Sequence, residues 1–167
     1  MKNLSATYKG LITGTLMILV SIGIYSRQGN FQNNLQYITY LIYIAGIVWT
    51  LNDYRKSETE NKTFKAYFSQ GFKCFIVVTL LMVAFTWIFM KMNPGMTEQM
   101  ARQTEIELIK TGNKTPQEIT DAVANAKKYF IPMLTSIAIF GYLLIGSVIT
   151  LIAALIFSGG RMKGSNA

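Results

Sequence analysis

The chain contains no histidine. That removes the commonest general base, the commonest metal ligand and every Ser–His or Cys–His nucleophile pair. Cys74 is its single cysteine, so no intrachain disulfide and no cysteine-cluster zinc or iron–sulfur site can form. Neither a G-x-x-x-x-G-K-[ST] loop nor a G-x-G-x-x-G turn is present to cradle phosphates. Acidic residues are scarce, eight against sixteen basic. All of them (Asp53, Glu58, Glu60, Glu98, Glu105, Glu107, Glu118 and Asp121) lie outside the long apolar runs. An ion-coupled carrier keeps a buried carboxylate or cation at membrane depth, and the sequence predicts none. The expectation is therefore a protein that is not an enzyme, with no catalytic, cofactor-binding or metal site.

What the sequence does have is apolar length. Of 167 residues, 51% are hydrophobic and only 14% charged, against a usual charged share of about 25%. Four stretches, 10–26, 28–52, 74–90 and 129–160, carry no Asp, Glu, Lys or Arg and together make up over half the chain. Neither an ordinary soluble domain nor a disordered chain has this composition. A crossing helix needs about 20 mostly apolar residues, because the hydrocarbon core is roughly 30 Å thick. The predicted spans are 8–25, 35–51, 71–92 and 130–157. They are helices rather than strands, since the runs do not alternate and lipid leaves no partner for open backbone groups. Aromatic residues sit toward the span ends: Tyr8 and Tyr25, Tyr37 and Trp49, Phe72 and Trp87, Tyr129 and Phe157. The fold class is thus all-α, a polytopic membrane protein built as a single membrane domain over 1–167. Lys2 and Lys9 before the run 11–20, with Ser21-Ile22-Gly23 after it, resemble a secretory signal. Because three more spans follow, the expectation is an uncleaved first helix.

Orientation follows the basic residues. The termini and the loop 53–73 carry nine, and the loops on the opposite side carry seven, of which the short first loop has only Arg27. This places both termini in the cytoplasm. Lys91, Lys127 and Lys128 flank the membrane on the opposite side and weigh against it. The net charge of +8 is spread over all segments without a basic block. It fits headgroup contact with the lipid bilayer rather than nucleic acid.

Residues 93–129 are too long for a plain connection and read as a helical hairpin between spans three and four, outside the membrane on the extracytoplasmic side. Asn93-Pro94 opens a new helix, and Gly112-Asn113 closes it. Met96, Met100, Ile106 and Ile109 form its weak apolar pattern. Thr115-Pro116-Gln117-Glu118 reads as a capping box starting a second helix that runs on into span four, kinked near Pro132. On it Ile119, Ala122, Val123, Ala126 and Phe130 recur at helical spacing. That stripe either closes the hairpin on itself or docks a membrane-protein partner or a second copy. Gly10, Gly14 and Ser21 make a small-residue face suited to close helix packing, internal or between copies. Thr63 is a candidate cap for a helix carrying Phe64, Tyr67, Phe68 and Phe72 on one side. Mid-span hydroxyls such as Thr79, Ser136 and Thr150 more often bond their own helix than line a path.

Thr63-Phe64-Lys65-Ala66-Tyr67 with Gly71-Phe72 entering span three, the polar helical insert, and Leu151-Ile152-Ala153-Ala154-Leu155-Ile156-Phe157 before a basic tail together resemble a family. It is the family of small bacterial membrane proteins catalogued as domain of unknown function 4199. The resemblance covers roughly residues 5–160. It implies a four-span protein of the bacterial inner (cytoplasmic) membrane, and it implies no activity, cofactor or site residue. The functional expectation is a non-enzymatic scaffold or accessory subunit acting through the 93–129 hairpin. The alternative is a small oligomeric transporter, channel or lipid-handling protein.

Overall fold

A computed structural model describes residues 4–28, 36–57 and 62–159. Among these residues there are five helices and no strand: α1 (Ala6–Gln28), α2 (Gln36–Lys56), α3 (Phe64–Met92), α4 (Pro94–Thr111) and α5 (Pro116–Gly159). The expected start of span two at Leu35, the amino-terminal Lys2 and the basic tail with Arg161 and Lys163 lie outside the described residues.

Local chemistry sets the helix ends. Ser5 Oγ accepts from Tyr8 N–H at 3.3 Å at the start of α1, and Thr63 Oγ1 accepts from Ala66 N–H at 3.3 Å at the start of α3. Pro94 occupies the first turn of α4, where its missing N–H costs nothing. Gly112 stops α4 in the left-handed region (φ 67°), and its N–H reaches the Ile109 carbonyl at 3.2 Å. The capping box opens α5: Thr115 N–H donates to Glu118 Oε2 at 2.7 Å, and Glu118 N–H donates to Thr115 Oγ1 at 3.3 Å. Pro132 lies inside α5 without ending it.

The chain divides into two compact units. The first holds α1, α2, residues 64–82 of α3 and residues 139–159 of α5. Its pairings are set by named contacts. Lys9 with Asp53, and Thr13 against Gly46, put α1 antiparallel to α2. Tyr54 packs edge-on to Tyr67, and Cys74 Sγ lies 3.9 Å from the Gly46 carbonyl, so α2 and α3 are antiparallel too. Tyr67 stacks on Phe157, Gly71 meets Thr150 and Phe75 meets Gly146, which makes α3 and α5 antiparallel. Gly10 against Cys74 and Gly14 against Leu81 leave α1 and α3 parallel. Glycine is required where α1 meets the α3 backbone. A Cβ on Gly10 would fall 2.7 Å from the Cys74 carbonyl oxygen, a backbone atom that cannot swing aside. Tyr43, Ile47, Leu51, Tyr67, Phe75, Val78 and Met17 fill the interior between them.

The second unit holds residues 83–92 of α3, α4 and residues 116–138 of α5. Lys127 Nζ meets Glu98 Oε2 at 2.8 Å and joins the two helices. Ala101 is its buried position on α4 and Phe130 on α5.

Among the described residues three helices, not the expected four, combine membrane-spanning length with an apolar stretch: α1 over Ala6–Arg27, α3 and α5. Within its described bounds α2 falls short because Gln36 at its start and Asn52, Asp53, Arg55 and Lys56 at its end curtail the apolar run, while Tyr37, Tyr40, Tyr43, Thr39 and Thr50 dilute what is left. From Gln36 to Asn52 it rises only about 25 Å before Asp53.

Candidate functional site

The α1 face that faces inward repeats at spacings of three and four: Ala6, Lys9, Gly10, Thr13, Gly14, Met17 and Ser21 are all buried. Gly10, Gly14 and Ser21 therefore sit inside the first unit, with Gly10 and Gly14 against α3. Lys9 shares that face. It is 3% exposed, so a charge expected in a solvated tail is enclosed by protein.

Burying an ammonium is costly unless it is paired and hydrogen-bonded. Lys9 Nζ donates to the carboxylate of Asp53, whose side chain keeps 30% exposure. The same ammonium lies 5.6 Å from the centre of the Trp49 ring, within cation–π range. Thr13 Oγ1 donates to the Lys9 carbonyl at 2.8 Å. One turn deeper, the Gly46 carbonyl accepts from Thr50 Oγ1 at 2.9 Å. Charge and hydroxyls thus gather where the start of α1 meets the end of α2. A recess of about 270 Å³ opens beside them, bordered by Ser5, Lys9, Thr50, Asp53, Tyr54 and Gln70. Lys9, read from the sequence as a basic residue of the amino-terminal tail, is buried instead. A buried cation is present, and Asp53, one residue past an apolar run, is its counter-charge.

Sequence reasoning missed this pair although a signal existed. The small-residue face that selects Gly10 and Gly14 passes through Lys9. The inward face of α2 at Thr39, Tyr43, Gly46 and Thr50 extends to Asp53.

The hairpin stripe is placed as follows. Phe130 is buried, and Ile119, Ala122, Val123 and Ala126 are half-buried on α5. On α4 the covered positions are Met96, Met100, Ala101, Thr104 and Leu108. Ile106 and Ile109, expected in the apolar pattern, are 52% and 59% exposed. Glu118, in the polar first turn of α5, has its carboxyl held below the ordinary glutamate range. The Thr115 backbone N–H is the main cause and the Thr115 hydroxyl the second.

No curated protein and no solved structure matches the chain. The family model described as "Protein of unknown function (DUF4199)" matches residues 8–158, nearly the whole length, and the chain belongs to that family.

Proposed function

We propose that this is a non-enzymatic accessory or scaffold protein of the bacterial inner membrane, acting through the hairpin of α4 and the start of α5. The observation that carries the reading is the hairpin itself. It lies within the compact unit 83–138 and has its own ion pair, capping box and buried Ala101, and α4 is too polar for hydrocarbon. Ile106 and Ile109, one turn apart and exposed, are the apolar pair it offers a partner, beside the half-covered stripe Ile119–Phe130.

The same reading has α2 crossing the bilayer, giving four spans. Its support is directional. A chain that threads α1 and α3 through the membrane in parallel must return between them, and α2 is the segment antiparallel to both neighbours. Both termini then share a side. Lys9, Arg55, Lys56, Lys62, Lys65 and Lys73 cluster at that end of the helices, which favours the cytoplasm.

The test is chemical cross-linking and pull-down from native membranes through a tag on the chain. The full chain is compared with a 97–128 deletion and with an Ile106→Glu/Ile109→Glu variant. A membrane-protein adduct lost in both variants is the expected result. An adduct set unchanged by both would overturn the proposal. The second reading, a small oligomeric transporter, channel or lipid-handling protein, is favoured by one observation, the enclosed Lys9–Asp53 pair.

A further inference from the structure

We propose that the recess beside Lys9 and Asp53 seats a zwitterionic phosphate–amine headgroup, the chemistry of phosphoethanolamine, with the phosphate toward Lys9 and the ammonium toward Asp53. The inference stands apart from the partner role of the hairpin. Charge is its first support. One cation and one anion border the same space, with Ser5, Thr50 and Gln70 as neutral polar neighbours. A lone anion would also meet the Asp53 carboxylate, and a lone cation would also meet the Lys9 ammonium. A group carrying both signs a few ångströms apart satisfies each. The existing pair leaves room for this, since an ammonium has three N–H donors and a carboxylate several lone pairs.

Depth is the second support. Lys9 directly precedes the charge-free run 10–26, Asp53 directly follows 28–52, and Gln70 lies one turn before 74–90. The recess therefore sits where apolar helix gives way to polar chain, at the level of lipid headgroups. Size is the third. At about 270 Å³ the recess is many times the roughly 10–15 Å³ that a single water needs on the same measure. That is enough for a phosphate, two carbons and an amine with the acyl chains left outside. Leu4 and Ala6 line the same recess and give an acyl-bearing ligand an apolar edge, which favours the lipid over free phosphoethanolamine.

The test uses the full chain, delipidated in mild detergent and offered phosphatidylethanolamine, phosphatidylcholine, phosphatidylglycerol or free phosphoethanolamine, with bound lipid read by native mass spectrometry. Phosphatidylethanolamine should be retained over phosphatidylcholine, whose quaternary nitrogen has no N–H for Asp53. Lys9→Met and Asp53→Asn should each weaken retention by about tenfold to a hundredfold, the effect of removing a charged hydrogen-bond partner. Ser57→Leu, which narrows the recess and leaves the ion pair in place, should weaken it as well and decides the matter if the charge variants misfold. Equal retention of the ethanolamine and choline lipids, or retention indifferent to Ser57→Leu, would overturn the proposal. Free phosphoethanolamine competing as strongly as the lipid would overturn the lipid source.

Discussion

Removing either partner of the Lys9–Asp53 pair should destabilise the first unit, and the two losses should be unequal. Asp53→Asn leaves an ammonium that is 3% exposed without its counter-charge. Breaking a buried pair this way costs about 3–5 kcal/mol. The remaining exposure of Asp53 (30%) means that water already screens the pair, so about 2–3 kcal/mol is expected. Lys9→Met leaves a carboxylate that can turn to water, and should cost about 1–2 kcal/mol, part of it the lost Trp49 contact. The double variant Lys9→Met/Asp53→Leu replaces both charges with apolar groups of similar size and should return to within about 1 kcal/mol of the parent. The assay is reversible unfolding in mixed detergent micelles followed by tryptophan fluorescence, with Trp49 beside the pair as reporter. Equal costs for the two single variants, or a double variant as damaged as their sum, would refute the claim that Lys9 is enclosed and Asp53 compensates it.

Two further outcomes follow from local geometry. Gly10→Ala should lower stability by about 1–3 kcal/mol, since its Cβ would press on the Cys74 carbonyl. Gly23→Ala, with open space around it, should be neutral or stabilising in the same unfolding assay, and equal losses at both sites would contradict the packing of α1 on α3. For Glu118 the folded-state pKa is depressed by Thr115. Its stabilisation of the α5 start is therefore full above the ordinary glutamate pKa of about 4.3 and disappears as pH falls through the lower folded value. The protection of the 117–120 amides, taken relative to their intrinsic exchange at each pH, should fall across that acid window in the parent and stay flat in Glu118→Gln. Identical profiles would show that the capping carboxylate contributes nothing.

The helices were legible because their signals are local. Charge-free runs place the helices without fixing their ends; Thr63, Pro94, Gly112 and the Thr115–Glu118 box act within a turn or two of themselves, and the ends expected from them are seen. What escaped was pairwise. Lys9 reads as a tail charge until α2 brings Asp53 beside it, 44 positions along the chain. Ile106 and Ile109 read as an inward face because they are apolar. Ala101 is buried instead and both isoleucines stay exposed, because a weak apolar pattern does not say which side of a helix is covered.

α2 shows the same limit from the other side. Mean hydropathy weighs every residue of a helix as though it met lipid. In α2 much of the polar content faces inward and is satisfied there. Thr50 bonds the Gly46 carbonyl at 2.9 Å, and the Tyr43 hydroxyl donates to the Tyr142 carbonyl at 3.0 Å. Thr39 is buried as well. Outward, α2 turns Ile38, Leu41, Ile44 and Val48, with Tyr37 and Tyr40 toward one end and Trp49 toward the other. That outer face has the composition of a lipid-facing one with aromatic ends. A helix touching α1, α3 and α5 has less surface left for lipid than any neighbour with fewer contacts. Polar groups inside it cost little once they are hydrogen-bonded. Its low hydropathy is therefore what a central helix in this bundle should have, and it carries less weight against a crossing than the same score would in a peripheral one.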